Sequence, residues 1–250
     1  MSTLDHDAAL AVVRATSEPI HHLGTSMYMS PDVMAWAAEW GWANPFSFYF
    51  AGRGGMLGDV SAEVVQSAFG WFEPNAVKSM FEEGVAVAGT SGAAARMAEA
   101  HGLWGQKHLT ELEGLDEFVD VAEELVDGLE GSAIPLFVGW RSAPRDESGP
   151  GRAAQLIQIL REWRGGIHLV ATTAVGLSPL EAILSNEGEG QAKFFGWAGP
   201  FPSSDDLKRQ HVEAEDMTDQ LSAAALARVL SPGKYPVFEA GVAAARTAVS

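Results

Sequence analysis

Apolar residues recur along most of the chain at intervals of three and four, the period of an α-helix with one buried face. Alternation of period two, which is typical of half-buried strands, is nearly absent. We therefore predict an all-α fold, a multi-helix bundle with helices in these segments: DHDAALAVVRAT, SPDVMAWAAEW, SAEVVQSAFGWF, EPNAVKSMFEEGV, GLDEFVDVAEELVDGL, GRAAQLIQILREWR, SPLEAILS and SSDDLKRQHVEAEDMTDQLSAAALARVL.

Residues that favour helix ends stand beside these segments. Ser30, Ser178 and the pair at 203–204 precede helical runs and have Pro or Asp next to them, so we predict that they begin helices. Glycines 128, 131 and 149 are predicted to lie outside helix ends. The Pro/Gly/Ser-rich stretch at 132–151 predicts a long loop between two halves of one bundle. We expect a single domain over residues 1–250, with this loop as the alternative place for a boundary.

Composition limits the kinds of partner that the protein is expected to bind. The 250 residues include 33 acidic against 16 basic side chains, a formal net charge of −17, and no cysteine. A negative surface repels phosphate backbones and anionic lipid, so we expect neither a nucleic acid nor a membrane partner. Without a signal segment or an apolar run of membrane-spanning length, a cytoplasmic location is expected. The lack of cysteine rules out disulfides, thiolate catalysis and Cys-ligated metal centres.

Three basic residues share one face of a predicted core helix. Arg161, Arg164 and His168 stand at i, i+3 and i+7, and the residues after them as far as 182 are almost wholly apolar. Charged groups in a core are costly unless they have partners. The sequence therefore raises the question of what these three side chains contact.

Two interpretations of this basic face stay open. In the first, its members form ion pairs with acids from other helices, for which Glu181, Glu215 and Asp219 are available. In the second, they line an internal pocket together with Arg53 and His21 and bind the carboxylate, sulfate or phosphate group of a small molecule, since arginine offers planar bidentate geometry.

The string TSEPIHHLG carries a candidate acid–base pair. Glu18 lies three residues before His21, and Pro19 between them either opens a helix or kinks one. The pair is either a solvated surface ion pair or a carboxylate that orients an imidazole as a general base. His168 is a second candidate imidazole for proton transfer.

Arg53 ends a strongly aromatic helix that is followed by a glycine-rich turn. The glycines have neither the spacing nor the preceding strand of a nucleotide-binding loop. A cation near a helix C-terminus can satisfy the last carbonyls, which is the role we favour for Arg53 taken alone, or it can bind an anion.

Metal ligands are sparse in the sequence. A carboxylate-rich di-metal bundle needs Glu-x-x-His twice, and that spacing occurs once, from Glu18 to His21. We therefore expect no metal and no redox cofactor.

Several short strings in a fixed order resemble the SalK-like family of actinobacterial proteins, whose members are usually labelled helix-turn-helix proteins. The resemblance covers residues 10–230 in patches and rests on EPIHH, YMSPD (with Tyr28), FYFAGRGGMLG (with Tyr49 and Arg53), REWRGGIH and EDMTDQL. On this basis Tyr28 joins the catalytic candidates, and Tyr49 joins the anion-binding ones.

The chain departs from the family pattern in two places. It has extra residues between His21 and Tyr28, and it passes directly from GWAGPFP to SSDDLKRQH, where the family carries a winged-helix segment. The DNA-binding role that the family label implies therefore lacks its usual segment here.

Three classes of function follow. The first is a cofactor-independent enzyme of specialised metabolism that acts on an anionic substrate, for example by elimination or by ring closure with loss of sulfate, as in aziridine formation. The second is a ligand-sensing regulator. The third is a non-catalytic binding protein, acting as a homodimer or with a pathway protein. An exposed apolar seam in the last helix, EAGVAAARTAV, would favour this class.

Overall fold

Helices make up nearly all of the regular structure in the computed structural model, which describes residues 3–249, the side chains at 3, 4 and 205 excepted. Over this range no strand occurs, so the all-α prediction is confirmed. The described helices are α1 Thr3–Tyr28, α2 Pro31–Glu39, α3 Pro45–Gly55, α4 Ala62–Phe69, α5 Pro74–His108, α6 Leu115–Gly128, α7 Pro135–Ser142, α8 Gly149–Ala174, α9 Pro179–Asn186, α10 Glu189–Phe194, α11 Lys208–Val229 and α12 Tyr235–Ala248.

The helix starts follow the capping residues in two of the three predicted places. The Ser30 side chain accepts a hydrogen bond from the amide of Asp32 at the start of α2. Ser178 and Glu181 form a reciprocal capping box at the start of α9, which occupies the Glu181 carboxylate. Ser204 makes no capping bond, because its hydroxyl donates to the Leu184 carbonyl and a 3₁₀ turn at Asp205–Leu207 precedes α11.

The long loop predicted at 132–151 is wrong. Pro135 begins α7 within it, and Gly149 begins α8 instead of following a helix end. An eight-residue helix shows too few turns for its period to be visible in sequence, although Phe137 and Trp140 are buried in the core. Pro19 lies inside α1, which runs unbroken to Tyr28, so it does not open a helix.

Helix α8 is the central element of the core. It packs against α1, α5, α6, α7 and α11, and most of its first half is buried. Helix α3 lies along α5 at close range, since a Cβ at Gly84 would come 2.1 Å from the Ser47 carbonyl oxygen. Helix α5 bends at Gly89, whose φ of 72° is outside the helical range. The packing of α3 and α8 on α5 fixes the two helices that carry the site.

The last helices complete the bundle. α12 packs on α1 and α6, which buries Val242 and Ala245 of the apolar seam EAGVAAARTAV. α9 and α10 contribute Ile183, Leu184 and Ala192 to a smaller apolar cluster that reaches Trp71.

No single helix within residues 3–249 has both the length and the apolar character of a membrane span; α8 and α9 reach them only when taken together, and the two are bent by 102°.

Candidate functional site

A buried ion pair joins α3 to α8. The Arg53 guanidinium donates two parallel hydrogen bonds to the Glu162 carboxylate, from Nε to Oε1 and from Nη2 to Oε2, each 2.8 Å long. The Glu162 side chain is 2% exposed and that of Arg53 is 10% exposed. This bidentate geometry is the strongest form of an arginine–carboxylate contact.

Further donors converge on the same carboxylate. The Tyr28 hydroxyl donates to Glu162 Oε1 at 3.3 Å, and Gln158 Nε2 contacts both that oxygen and the Tyr28 oxygen at 2.7 Å. Arg161 Nη1 lies 3.4 Å from Glu162 Oε1. Two guanidiniums therefore surround one carboxylate.

The protonation states in this network follow from burial and charge. Burial alone would raise the pKa of Glu162, but the charge and hydrogen bonds of Arg53, with Arg161 and Tyr28, lower it below the usual range. Burial and the Glu162 charge raise the pKa of Tyr28 well above 10. Burial lowers the pKa of His101, whose ring meets that of Tyr28 edge-on, to about 4. At neutral pH, Glu162 is ionised, and Tyr28 and His101 carry no charge.

Local sequence explains how each helix presents these groups. Tyr49 and Arg53 stand four residues apart on α3, and the Tyr49 hydroxyl accepts a hydrogen bond from Arg53 Nη1 at 3.2 Å. Gln158 and Glu162 have the same spacing on α8. Arg53 is in the last turn of α3, but its side chain contacts Glu162, so the favoured role of satisfying the last carbonyls is wrong. A partner carboxylate inside the core binds a cation more strongly than helix-end carbonyls do.

The ion pair opens onto a cleft of about 520 Å³. Its walls are formed by the end of α4 and the turn after it, by residues 133–136 at the start of α7, and by the face of α8 from Glu162 to Ala174. This volume lies in the range of about 300–1,000 Å³ of small-molecule sites. The cleft thus combines an apolar wall with one polar end.

Some N–H donors of the Arg53 guanidinium are not engaged by protein acceptors among the described residues. A guanidinium has five N–H bonds, and three of those of Arg53 are engaged by Glu162 and Tyr49. One N–H on Nη1 and one on Nη2 remain. The guanidinium carbon lies over the Phe69 ring, 4.1 Å from the ring centroid, in a cation–π contact. The first turn of α7 also lines the cleft and has no side-chain cap.

A second polar cluster lies on the other side of α8, against α1 and α11. Arg164 donates to Ser17 at 2.9 Å, to Glu215 at 3.0 Å and to Asp219 at 3.5 Å. His168 Nε2 lies 3.5 Å from Glu215 as well. The cluster thus consists of ion pairs across the α1–α8–α11 interface.

His168 is held on both ring nitrogens. Its Nδ1 lies 2.9 Å from the Thr218 hydroxyl, opposite the Nε2 contact with Glu215. Burial lowers the pKa of His168, and the Arg164 charge adds to that effect, while Glu215 opposes it. Of the acids considered as partners in the sequence, Glu215 and Asp219 are in contact with the basic face, whereas Glu181 is engaged in its capping box.

Glu18 and His21 are both exposed, and no hydrogen bond joins them among the described residues. Desolvation by surrounding side chains, together with the charges of Arg161 and Arg164, lowers the pKa of His21 to about 4. His21 is therefore near the basic face but does not line the cleft. A catalytic role for Glu18 and His21 stays a prediction.

The structure thus places seven of the eight predicted site residues in two groups, and Glu18 is exposed and outside both. The residues that gather around the Glu162 carboxylate are Tyr28, Tyr49, Arg53 and Arg161. Those on the α1–α11 side of α8 are His21, Arg164 and His168.

Sequence reasoning missed Glu162 and Gln158. The signal was present in AAQLIQILREW, where Gln155, Gln158 and Glu162 stand at i, i+3 and i+7 on a face that is otherwise apolar. All three are buried. Polar residues at helical spacing within an apolar segment indicate a buried polar network.

Within residues 3–249, no group of three or more His, Asp and Glu is arranged to hold a metal ion.

Comparison with known proteins gives one match. No curated protein and no solved structure matches the chain. A family model described as a helix-turn-helix family matches residues 12–202, which include both sides of the buried ion pair. The chain therefore belongs to this helix-turn-helix family.

Proposed function

We propose that the protein binds an anionic small molecule in the cleft and acts on it as a cofactor-independent enzyme of specialised metabolism. The observation that carries the proposal is Arg53, which lines the cleft with two unengaged N–H bonds while Glu162 holds it in place. A guanidinium fixed on one edge by a carboxylate presents its remaining N–H bonds to a second oxyanion with little loss of side-chain entropy.

The chemistry of the cleft favours reactions in which a leaving anion is stabilised. Glu162 is the only acid among the described lining residues, and it is a weak base because Arg53 and Arg161 lower its pKa. Arg53 is suited to the opposite task of taking up developing negative charge.

Elimination or internal ring closure with loss of sulfate fits this balance. In ring closure, an amine of the substrate attacks the carbon that bears the sulfate group. The C–N bond forms, the C–O bond breaks, its electron pair leaves with sulfate, and the amine proton passes to solvent.

The test is ligand-dependent stability. Wild type, Arg53→Lys and the exposed control Arg96→Lys are melted with sodium sulfate or sodium benzoate against sodium chloride of equal ionic strength. We expect Arg53→Lys to lose about 1.5–3 kcal/mol of anion binding, the range for a hydrogen bond to a charged group, and Arg96→Lys to lose none. Equal anion stabilisation in all three proteins would contradict the proposal. Native mass spectrometry of the purified protein then identifies any bound substrate.

A ligand-sensing regulator is the second candidate, and the helix-turn-helix family match favours it. Helices α9 and α10 are joined by a tight turn, as in a helix-turn-helix unit. Their segment carries Glu181, Glu187 and Glu189 against Lys193, a charge that opposes phosphate binding. We therefore rank the regulator second. Nanomolar, salt-sensitive binding to a fragment of genomic DNA would reverse the ranking.

Within the helix-turn-helix family, we propose a place for the chain among the SalK-like proteins, on the strings EPIHH, FYFAGRGGMLG and REWRGGIH. The site around Arg53 and Glu162 draws on the last two of these strings, so a family alignment that keeps both residues together would support this placement.

A further inference from the structure

The polarity of the cleft is uneven along its length. Arg53 and Glu162 are its only charged residues among those described, and the hydroxyls of Ser67 and Thr173 already donate to the carbonyls of their own helices. The remaining walls are mainly apolar and include Phe69, Trp71, Ile134, Leu136, Leu169 and Val170.

The cleft is also long. Helix α8 lines it from Glu162 to Ala174, which at 1.5 Å per residue is about 18 Å. Because the charged pair lies at the Glu162 end, a ligand that fills the cleft has its polar group there and an apolar body beyond it.

The charge at this end matches a single negative charge. Arg53 and Arg161 against Glu162 leave one positive charge, because the raised pKa of Tyr28 and the lowered pKa of His101 keep both neutral. One negative charge on a ligand therefore balances the net positive charge of this group of residues.

Glycine 165 leaves space along the α8 wall. A Cβ at Gly165 would meet nothing within 4 Å, although the residue lines the cleft. At the neighbouring Gly166, a Cβ would come 2.2 Å from Ile134 Cγ2, so that glycine serves packing. Gly165 therefore keeps the cleft open one turn of α8 beyond the charged end.

We propose that the ligand is a monoanion with an extended apolar body, such as a medium-chain or aryl-substituted carboxylic acid or sulfate ester. Its anionic group binds Arg53, and its body lies along Gly165, Leu169 and Val170. This inference rests on the proposed function, because it assumes that Arg53 binds the anionic group.

The test is a homologous series of linear alkanoates, hexanoate, octanoate and decanoate, titrated into wild type, Gly165→Leu and Gly190→Leu by calorimetry. Gly190 is the matched control, since it is an exposed helical glycine where an added Cβ would meet nothing within 4 Å, and it does not line the cleft. We expect wild type and Gly190→Leu to gain on the order of fourfold in affinity per methylene. Gly165→Leu should lose this gain and retain the sulfate stabilisation that depends on Arg53.

The outcomes separate the two proposals. Affinity that does not change with chain length, while sulfate binding still depends on Arg53, would overturn the inference and leave the proposed function in place. An equal loss in Gly165→Leu and Gly190→Leu would also overturn it. Failure of every anion to bind in an Arg53-dependent way would instead defeat the proposed function.

Discussion

Arg53 on α3 and Glu162 on α8 are 109 positions apart in sequence, yet their side chains meet through two hydrogen bonds of 2.8 Å inside the core. The pair links two helices that both pack on α5 and closes one end of the cleft. The same contact is therefore expected to matter for stability and for ligand binding, and the predictions below separate the two effects.

Removal of one partner of this pair is expected to destabilise the fold strongly. Glu162→Gln leaves the Arg53 guanidinium buried without a counter-charge, which should lower the free energy of unfolding by about 3–5 kcal/mol. The double variant Arg53→Met with Glu162→Gln should lose less than the sum of the single variants, as urea denaturation would show. As a control, Glu99→Gln breaks an exposed pair with Arg96 and should change stability by about 0.5 kcal/mol or less. Additive losses would mean that Arg53 and Glu162 do not depend on each other.

Arg164 is expected to act through stability. Its contacts with Ser17, Glu215 and Asp219 hold α8 against α1 and α11. Arg164→Ala should therefore cost about 1.5–3 kcal/mol in chemical denaturation, with Arg164→Lys intermediate because it keeps the charge and loses the fork. Stabilisation by sulfate should be the same as in wild type. An Arg164→Ala protein of normal stability that no longer responds to sulfate would instead support an anion pocket on the basic face.

The buried imidazole of His101 predicts loss of stability in acid. The unfolded chain takes up this proton near pH 6.5, whereas the folded protein resists it until about pH 4, because burial lowers the pKa. Below pH 6.5 the unfolded state binds more protons than the folded state, so the free energy of unfolding decreases as the pH is lowered. At pH 4 this group alone should account for a loss of about 3 kcal/mol relative to neutral pH. His101→Gln should flatten this part of the stability curve relative to wild type. Parallel curves for wild type and His101→Gln would contradict the assignment.

Glu18 and His21 are exposed positions, so their substitution should leave the fold intact. Glu18→Gln and His21→Asn are each expected to change the free energy of unfolding by about 0.5 kcal/mol or less. If either residue is catalytic, its variant should show a lower kcat at unchanged melting temperature when turnover of a substrate is measured. A large drop in melting temperature with normal turnover would mark either residue as structural.

Helix starts could be predicted from neighbouring residues, whereas the contacts of the site could not, because its residues are far apart in sequence. Ser30 and Ser178 begin helices as their neighbours indicate, because a cap is formed within four residues. Helix α7 was not predicted, because it begins at Pro135, has only eight residues and lies inside a Pro- and Gly-rich stretch. Arg53 was a candidate, but its partner Glu162 belongs to another helix, and no local pattern specifies which acid a buried cation will meet.

The basic face shows the same limit. The spacing of Arg161, Arg164 and His168 placed them correctly on one helix, but adjacent turns of that face meet different neighbours. Arg161 contacts the Glu162 network, whereas Arg164 and His168 meet Glu215 on α11. Helix packing, which the period of the sequence does not determine, divided one predicted cluster into two.

The most direct test of the central claim is the NMR response of the cleft to an anion. In a titration with octanoate, the Nε–H resonance of Arg53 and the indole resonance of Trp71 should shift together and give one dissociation constant, since both residues line the cleft. The Nε–H of Arg164, which lies in the interface with α1 and α11, should not move. Saturable shifts at Arg164 and His168 with none at Arg53 or Trp71 would contradict the account.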